Sequence, residues 1–281
     1  MKSEKLLILG AGGQVGRELK EIYPEATCLY HNSNGSDSIE LSDQHDIIQK
    51  ISKTKPKVII NAAALANVDL CERNKALAYS VNGYSLLSIT KIARKLGSSL
   101  YHISTDYVFD GVDGNYSENS TPNPINYYGI SKLLGDAFAS SYEKSAIIRT
   151  SGVFGHSNNF PIFVVNTLKS NKQVNAIKGY YSPIHAKLLA KAIKDIIDAE
   201  FYGIINVAAD RISRYEFALR LANKFNLDRS LISEIESPAN MFAKRPFDSS
   251  LDISLAKTLL HFDFHSIDVN IDALYSSLSI S

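Results

Sequence analysis

The sequence has few cysteines, almost no net charge and no long hydrophobic run. Its 281 residues include two cysteines, Cys28 and Cys71, which lie far apart and lack the spacing of metal ligands. We expect reduced thiols of a cytosolic protein, not a disulfide framework or a metal site. The formal net charge of +1 at pH 7 gives no field to hold a phosphate backbone, so nucleic acid is not an expected partner.

The first residues do not have the pattern that predicts a targeting signal. Its apolar run, Leu6–Leu9, is too short for a signal peptide and leads straight into glycines. No stretch of the sequence approaches the length needed to span a bilayer. The sequence therefore predicts a cytoplasmic protein with no membrane partner.

Short apolar runs alternate with helical patterns along much of the chain. The runs fill consecutive positions with apolar side chains, as in strands buried on both faces; they occupy 5–9, 26–30, 57–61, 100–104, 145–149 and 203–207. Helical patterns occupy 14–22, 43–53, 75–96, 127–142 and 186–199. This alternation predicts an α/β fold, a doubly wound parallel sheet of the Rossmann type with helices on both sides.

The composition changes after Thr150. Segments 151–183 and 209–281 hold most of the Phe residues of the chain, and their strand signals are weaker. We interpret residues 1–150 as a nucleotide-binding domain to which 184–208 return, and 151–281 as mainly a smaller substrate-binding lobe. Because doubly wound sheets bind ligands at the carboxyl ends of their strands, functional residues are expected just after each strand.

A glycine-rich loop joins the first strand to the first helix. Gly10 permits a sharp turn, Gly13 lets the backbone approach a pyrophosphate, and Gly16 lets helix and strand pack closely. The start of the helix offers N–H groups and a positive dipole end to the phosphates. We predict a dinucleotide site at this loop, with Gln14 and Val15 also contacting the cofactor.

The end of the second strand indicates which nicotinamide cofactor binds. It carries Tyr30 and Asn32 but no carboxylate, whereas NAD sites usually place an acid there for the ribose hydroxyls. Arg17, just after the glycine loop, is placed to meet a 2′-phosphate. NADPH is therefore favoured, with NADH as the alternative. Leu41 belongs to a turn that resembles those flanking adenine, and Asp43 after it fits either this turn or a helix cap.

Tyr128 and Lys132 form a Y-x-x-x-K pair on a predicted helix. Their i, i+4 spacing puts both side chains on one face. A tyrosine has a pKa near 10. A lysine cation about 4 Å away, at an effective dielectric constant of about 20, stabilises the phenolate by about 4 kcal/mol, which is roughly three pKa units. We expect Tyr128 to act as the acid–base group, with its pKa lowered by Lys132.

Such a pair is common on helices by chance. Two other features of the sequence support a catalytic role for this one. One is the glycine loop upstream. The other is the strand that ends at Ser104 and Thr105, because a hydroxyl at its tip can bond a substrate carbonyl beside the tyrosine. We assign this role to Thr105, with Ser104 in support.

These motifs, in this order, resemble the extended short-chain dehydrogenase/reductases. Further stretches are similar to the dTDP-4-dehydrorhamnose reductases among them, nearest to the archaeal members, over almost the whole chain. These stretches are Asn61–Ala64 with Val68, Asp69 and Glu72, then Asn82, and the strings HISTDYVFDG, NPINYYGISK, RTSGVFG and RPFDSSLD, the last from Arg245 to Asp252.

The resemblance implies hydride transfer from the nicotinamide C4 to the C4 keto carbon of a dTDP-bound 6-deoxyhexose. It gives Tyr128 the role of proton donor, Lys132 that of ribose ligand and pKa modulator, and Thr105 that of carbonyl ligand. It places Asn61, Ala62, Ala63 and Ala64 along the cofactor, and Val68, Tyr107 and Arg245 along the sugar nucleotide, with Arg245 as the natural partner of a phosphate. Association as a homodimer is left open.

The chain departs from the family pattern in the substrate lobe. Bacterial members often carry a bulky aromatic residue at the position of Gly152, and Pro-Thr where this chain has Pro183 and Ile184. The identity of the hexose is therefore open. The acidic residues with which some relatives hold Mg²⁺ have no match, so we predict no required metal.

Three other functions compete with reduction. A dehydratase of the same fold has a glutamate directly after the Thr-Asp pair, where this chain has Tyr107 after Asp106. An epimerase needs tightly held NAD, which the missing acid of the second strand disfavours. A non-catalytic NADP-binding subunit, similar to the β subunit of methionine adenosyltransferase, is the third alternative, and the intact Thr105, Tyr128 and Lys132 argue against it.

Overall fold

The computed structural model describes residues 5–31, 35, 37–156, 159–237 and 241–279, so Asn32 lies outside the described residues. Its strands are β1 Leu6–Leu9, β2 Thr27–Leu29, β3 Val58–Asn61, β4 Ser99–Thr105, β5 Ser145–Phe154, β6 Val174–Ile177, β7 Tyr180–Tyr181, β8 Pro183–His185, β9 Gly203–Asn206, β10 Ile212–Ser213 and β11 Ile232–Ile235. Its helices are α1 Gln14–Ile22, α2 Gln44–Thr54, α3 Val68–Arg73, α4 Lys75–Ala78, α5 Ser85–Leu96, α6 Tyr127–Ser140, α7 Phe160–Lys169, α8 Ala186–Asp198, α9 Arg214–Lys224, α10 Ser254–Leu259 and α11 Ile267–Ser279. None of the described helices has the length and hydropathy to cross a membrane.

Seven of the described strands form one parallel sheet. Their order is β2-β1-β3-β4-β5-β8, and β9 also pairs with β5. Strand β1 lies between β2 and β3, so the direction of the crossovers reverses at β1 and β3. Ligands of doubly wound sheets bind outside the carboxyl ends of the strands at this switch point. The predicted doubly wound parallel sheet is confirmed.

The two faces of the sheet bury separate cores. In β1, Leu6 and Ile8 belong to a cluster that includes residues of α1 and α8, whereas Leu7 and Leu9 belong to a cluster that includes residues of α2 and α5. This division follows from strand geometry, because successive side chains point to opposite faces. Both faces are covered, which explains why the strands read as continuous apolar runs.

A third apolar core lies in the C-terminal half of the chain. It joins Phe154 at the end of β5 to residues of α7, α9 and α11, among them Val164, Phe217 and Leu274. Residues of α8 and β9, such as Ile193 and Ile205, belong instead to the first sheet core. These clusters support our proposal that 1–150 and 184–208 form one domain and that most of the rest forms a second lobe.

The helix predicted over 75–96 is interrupted. Between α4 and α5 the chain makes a π-helical turn, Tyr79–Tyr84. Within it the amide of buried Asn82 accepts from the Leu65 N–H at 2.8 Å and donates to the Leu65 carbonyl at 3.1 Å and to Ser131 Oγ at 3.1 Å. Such π turns are rare within helices and are frequent at functional sites. This one carries Asn82, which ties the loop after β3 to α6.

Candidate active site

A cavity of about 320 Å³ opens at the carboxyl ends of β3, β4 and β5. It brings together all three predicted catalytic residues and some of the residues predicted to bind the cofactor or the substrate, which come from strand ends and from the helices α1, α3 and α6. The residues that line it are Gln14, Ala62, Ala64, Ala66, Val68, Ile103, Ser104, Thr105, Asp106, Tyr107, Tyr128, Lys132, Thr150, Gly152 and Val153.

The glycine loop lies at the switch point beside this cavity. Gly10 has φ +77°, and a Cβ there would lie 2.7 Å from the backbone of Ala63 after β3. A Cβ on Gly16 would lie 2.2 Å from the Gly10 carbonyl oxygen. The glycines therefore allow β1, α1 and the loop after β3 to approach within backbone contact.

The start of α1 fits a bound pyrophosphate. Its N-cap is Gly13, and in the described chain no side chain caps its first turn, whereas Asp43 caps α2 through the N–H groups of His45 and Asp46. The first N–H groups of a helix need partners, and an anion at the helix start supplies them. Asp43 is thus a helix cap, one of its two predicted roles.

Two cations lie near the end of β2. Arg17 is exposed and its Nε donates to the Gly12 carbonyl at 3.0 Å. Lys20, which the sequence patterns missed, places Nζ 3.4 Å from the hydroxyl of Tyr30. Leu41 is buried. The charges on this rim suit an additional phosphate on the cofactor ribose.

Helix α6 presents Tyr128 to the cavity. Asn126 caps the helix by accepting from the Gly129 N–H at 2.9 Å, and the Tyr128 ring meets the ring of Tyr107 edge-on, with centroids 5.8 Å apart. Burial raises the pKa of Tyr128 above its usual value, and the Thr105 hydroxyl opposes this rise. The tyrosine is therefore protonated at neutral pH.

Lys132 lies one turn further along α6 and is almost fully buried. Its Nζ donates to the Ile103 carbonyl at 2.7 Å and lies 3.2 Å from Nε2 of His102. Burial lowers the pKa of Lys132 to about 8, against the opposing charge of Asp136. The expected lowering of the Tyr128 pKa by Lys132 is wrong for this structure, because burial controls Tyr128 and the lysine nitrogen is engaged by β4.

Asn61 and Ala63, predicted to line the cofactor, do not line the cavity. The amide of Asn61 points into the core, where its Nδ2 lies 3.1 Å from Nδ1 of His102, because these two residues are paired across β3 and β4. Ala63 packs against Gly10. Any contact of these two residues with a cofactor at the cavity would come from the backbone.

Arg245, predicted to face a phosphate, is already paired. Its Nη2 lies 3.1 Å from Asp69 Oδ1, and its Nη1 donates to the Ala243 carbonyl at 2.8 Å. The attraction between the opposite charges draws the guanidinium toward α3, so it does not line the cavity. The ion pair instead fastens the segment that carries Arg245 to the sheet domain.

The sequence patterns missed two candidates for substrate contact. Asp106 lines the cavity and accepts from Ser151 Oγ at 2.6 Å, while burial raises its pKa. Arg214, the first residue of α9, holds its guanidinium 5.0 Å from the centroid of the Tyr181 ring, and it opposes the rise that burial causes in the pKa of Tyr107. Asp106 lies in the string HISTDYVFDG, whereas no sequence pattern points to Arg214.

The fold and this site define a class of protein. A doubly wound sheet, a glycine loop at its switch point and a Thr, Tyr and Lys set at its strand ends are the features of an extended short-chain dehydrogenase/reductase. The family model described as the RmlD substrate binding domain matches residues 4–279. The chain therefore belongs to the RmlD family, the dTDP-4-dehydrorhamnose reductase family that its motifs resemble.

Individual relatives include a reductase and a subunit of another enzyme. The chain is 32% identical to a dTDP-4-dehydrorhamnose reductase of Aggregatibacter actinomycetemcomitans, over 89% of this chain and 91% of that protein. It is 30% identical to methionine adenosyltransferase 2 subunit beta of Xenopus laevis, over 90% of this chain and 81% of that protein.

Solved structures share the whole fold. A hypothetical dTDP-4-dehydrorhamnose reductase of Sulfolobus tokodaii is 46% identical and superposes with a TM-score of 0.90, covering 96% of this chain and 98% of that one. The dTDP-4-dehydrorhamnose reductase of Bacillus anthracis, solved in complex with NADP, is 25% identical with a TM-score of 0.84, covering 97% and 99%. The similarity to an archaeal member is confirmed.

Proposed function

We propose that this protein reduces the C4 keto group of a dTDP-4-keto-6-deoxyhexose with NADPH, a step of dTDP-L-rhamnose synthesis. The observation that carries the proposal is the cavity in which Thr105, Tyr128 and Lys132 meet at the strand ends, beside the uncapped start of α1. When bound, NADPH supplies the hydride that the carbonyl carbon accepts, so that ketone, NADPH and one proton give alcohol and NADP⁺.

Tyr128 supplies the proton in this account. Its raised pKa keeps the phenol protonated at neutral pH, and the alkoxide formed from a ketone is far more basic than a phenolate, so the transfer is downhill. The Thr105 hydroxyl, at the tip of β4, donates a hydrogen bond to the carbonyl oxygen and stabilises its developing charge. This hydroxyl now donates to Asp106 Oδ1 at 3.1 Å, so substrate binding has to redirect it.

Lys132 holds the nicotinamide ribose in the same account. With a pKa of about 8, it is mostly protonated at pH 7 and can donate to ribose hydroxyls. Gln14 at the start of α1 and the backbone of Ala62 and Ala64 line the path between the ribose and the glycine loop. The acid-free end of β2, with Arg17 and Lys20 nearby, favours NADPH over NADH.

The sugar nucleotide would lie on the other side of the cavity. Val68 and Tyr107 line it directly, and Arg214 beside Tyr107 is a candidate partner for the diphosphate, as is Arg245 if its pairing with Asp69 opens. Gly152 adds no side chain to the cavity wall. Residues around Gly152, and not an aromatic side chain at that position, therefore determine which hexose binds.

A turnover assay tests the proposal. Purified protein is mixed with NADPH and a dTDP-4-keto-6-deoxyhexose, and the loss of NADPH absorbance is followed together with the formation of the 4-hydroxy sugar. We expect one sugar reduced for each NADPH oxidised, at a higher kcat/KM than with NADH. The absence of reduced sugar with an intact, NADPH-binding protein would reject the proposal.

The alternative is a regulatory subunit without turnover. It is favoured by the similarity to the β subunit of a methionine adenosyltransferase, which extends over 90% of this chain. The same preparation that is tested for turnover can be mixed with a methionine adenosyltransferase catalytic subunit. A stable complex without turnover would support this alternative, whereas turnover by the isolated chain would support the enzyme.

The protein is expected to work in the cytoplasm, without a bound metal and with no nucleic acid or membrane partner. We also keep a homodimer as a prediction, which light scattering after size-exclusion chromatography tests. Dehydration is disfavoured because Tyr107, and no glutamate, follows Asp106 in the cavity.

A further inference from the structure

Beneath the cavity, a line of buried polar side chains leads to Lys132, and its other members have no part in the reaction above. It runs from Asn61 on β3 through His102 on β4 to Lys132 on α6, and each of these residues is at most 1% exposed. Asp136 and Arg149, each 3% exposed, lie next to it. Buried polar groups are costly unless they are bonded to one another, so the line must be satisfied internally.

The distances show which atoms of this line face each other. Asn61 Nδ2 is 3.1 Å from Nδ1 of His102, and Nε2 of the same ring is 3.2 Å from Lys132 Nζ. The other end of the Asn61 amide is also engaged, since its Oδ1 accepts from the Ala63 N–H at 3.3 Å. One imidazole thus connects an amide that is engaged at both its nitrogen and its oxygen to the lysine of the catalytic pair.

A neutral imidazole has one donor and one acceptor nitrogen. If the Asn61 amide group donates to Nδ1, the ring proton must lie on Nε2, and the lysine nitrogen facing it must accept, which only the uncharged amine can do. If Lys132 is an ammonium that donates to Nε2, the ring proton lies on Nδ1, and the Asn61 oxygen must turn toward it. That turn removes the acceptor of the Ala63 N–H.

We propose that His102 is a positioning residue for Lys132, and that its tautomer, coupled to the Asn61 amide, is linked to the charge of Lys132. Loss of a proton from Lys132 moves the ring proton of His102 from Nδ1 to Nε2 and turns the Asn61 amide. The catalytic consequence rests on the proposed function, whereas the linkage itself does not. Because Ala62 and Ala64 line the cavity on either side of Ala63, the same linkage reaches the predicted cofactor loop.

Burial keeps the imidazole neutral among the charges that surround it. From α6, Asp136 Oδ1 lies 3.7 Å from Nε2 of His102, and from β5, Arg149 Nε lies 3.6 Å from Asp136 Oδ2. Tyr128 on α6 is protonated, and β3 contributes only the uncharged Asn61. Burial, with the repulsion of Lys132, holds the pKa of His102 well below its usual range. The ring therefore changes tautomer and not charge.

Nitrogen NMR of the histidine rings tests the linkage directly. The full chain is labelled with ¹⁵N-histidine, and the His102 signals are assigned by their loss in His102→Gln. We expect Nδ1 protonated at pH 6 and Nε2 protonated at pH 10, with a midpoint close to that of Lys132 and never both nitrogens protonated. In Lys132→Met the tautomer should no longer depend on pH. A single tautomer in the wild type at every pH, or a change that persists in Lys132→Met, would overturn the proposal.

Kinetics and cofactor binding test the positioning role. His102→Leu removes the partner of Lys132, so we expect NADPH affinity to fall roughly tenfold, the lower end of the loss found when the outer-shell partner of a metal ligand is removed. The alkaline limb of kcat/KM should also move to lower pH, because the ammonium loses an acceptor. His102→Gln retains an amide that can accept and should recover most of both losses.

His185→Leu is the matched control. His185 is also buried and caps α8 by accepting from the Lys187 N–H at 3.2 Å, outside the line described above. The substitution of His185 should change the free energy of unfolding without moving the alkaline limb of kcat/KM. Equal effects of His102→Leu and His185→Leu on the alkaline limb would show that His102 acts only through packing. If the wild type shows no turnover, the proposed function fails, and the NMR and NADPH-binding measurements still decide this inference.

Discussion

At the scale of single residues, Tyr128 and Lys132 lie one helical turn apart, and burial shifts the pKa of each toward its uncharged form. The residue types and their spacing could be predicted from the sequence. The partner of Lys132 could not, because His102 meets it only through the position of β4 beneath α6. Local spacing predicts a helix face, but the partner of a buried group depends on strand register.

The buried Lys132 should give the protein a measurable stability increase at alkaline pH. Its pKa is about 8 in the folded protein and 10.5 ordinarily, so between these values the unfolded chain binds more protons. Stability therefore rises with pH across this window, by about 3 kcal/mol. Urea unfolding at pH 7 to 10 should show this rise in the wild type relative to Lys132→Met. If the free energy of unfolding depended on pH in the same way in both proteins, the lowered pKa of Lys132 in the folded state would be contradicted.

Gly152 should resist any side chain. It has φ +48°, and a Cβ there would lie 2.7 Å from the ring of Tyr181. Gly152→Ala should therefore cost about 2–4 kcal/mol in the free energy of unfolding, from backbone strain and overpacking together. Gly97→Ala is the control, because Gly97 has φ +71° and open space around its Cβ position. Equal losses in the two variants would show that contact with Tyr181 adds nothing.

At the scale of elements, the sheet strands β1 to β5 and β9 lie close to their predicted positions because continuous apolar runs are typical of buried parallel strands. The elements α7, α9 and α11 went unpredicted. Their apolar positions pack on a core assembled from distant segments, and the paired strands β6 and β11 are held by each other and not by an alternating pattern. Long-range pairing of short elements leaves little trace in a local sequence window.

The cap of α6 should matter for activity because this helix carries the catalytic pair. Asn126 accepts from the Gly129 N–H and donates to the Lys244 carbonyl, both at 2.9 Å. Asn126→Ala should cost about 1–2 kcal/mol of stability and also lower kcat. Asn74→Ala, which removes the cap of α4, should cost a similar amount with kcat unchanged. An unaltered kcat in Asn126→Ala would show that this cap does not affect catalysis.

At the scale of the whole molecule, the cofactor is predicted to bind at the switch point between β1 and β3, and the substrate between the sheet and the C-terminal lobe. A ligand that binds only the folded state stabilises it by about 2.7 kcal/mol at 100 times its Kd. Binding of NADPH should therefore raise the Tm of the whole chain, since the glycine loop belongs to the sheet core.

Arg17 should decide the preference between the two nicotinamide cofactors. If its guanidinium meets the 2′-phosphate, Arg17→Ala should weaken NADPH binding by roughly tenfold, the equivalent of about 1.4 kcal/mol, and leave NADH binding almost unchanged. Calorimetric titration of each cofactor measures both. Lys20→Ala tests the second cation of this rim in the same way. An equal loss of affinity for NADPH and NADH would show that Arg17 contacts a part that the two cofactors share.

The most direct test of the central claim compares two neighbouring tyrosines. Tyr128 faces the cavity, whereas Tyr127 lies outside its lining and packs edge-on against Tyr79 with ring centroids 6.1 Å apart. Steady-state reduction of the dTDP-4-keto-6-deoxyhexose by NADPH is measured for both phenylalanine variants. Tyr128→Phe should lose about 10²- to 10⁴-fold in kcat with NADPH affinity retained, and Tyr127→Phe should match the wild type. Full activity in Tyr128→Phe would contradict the account.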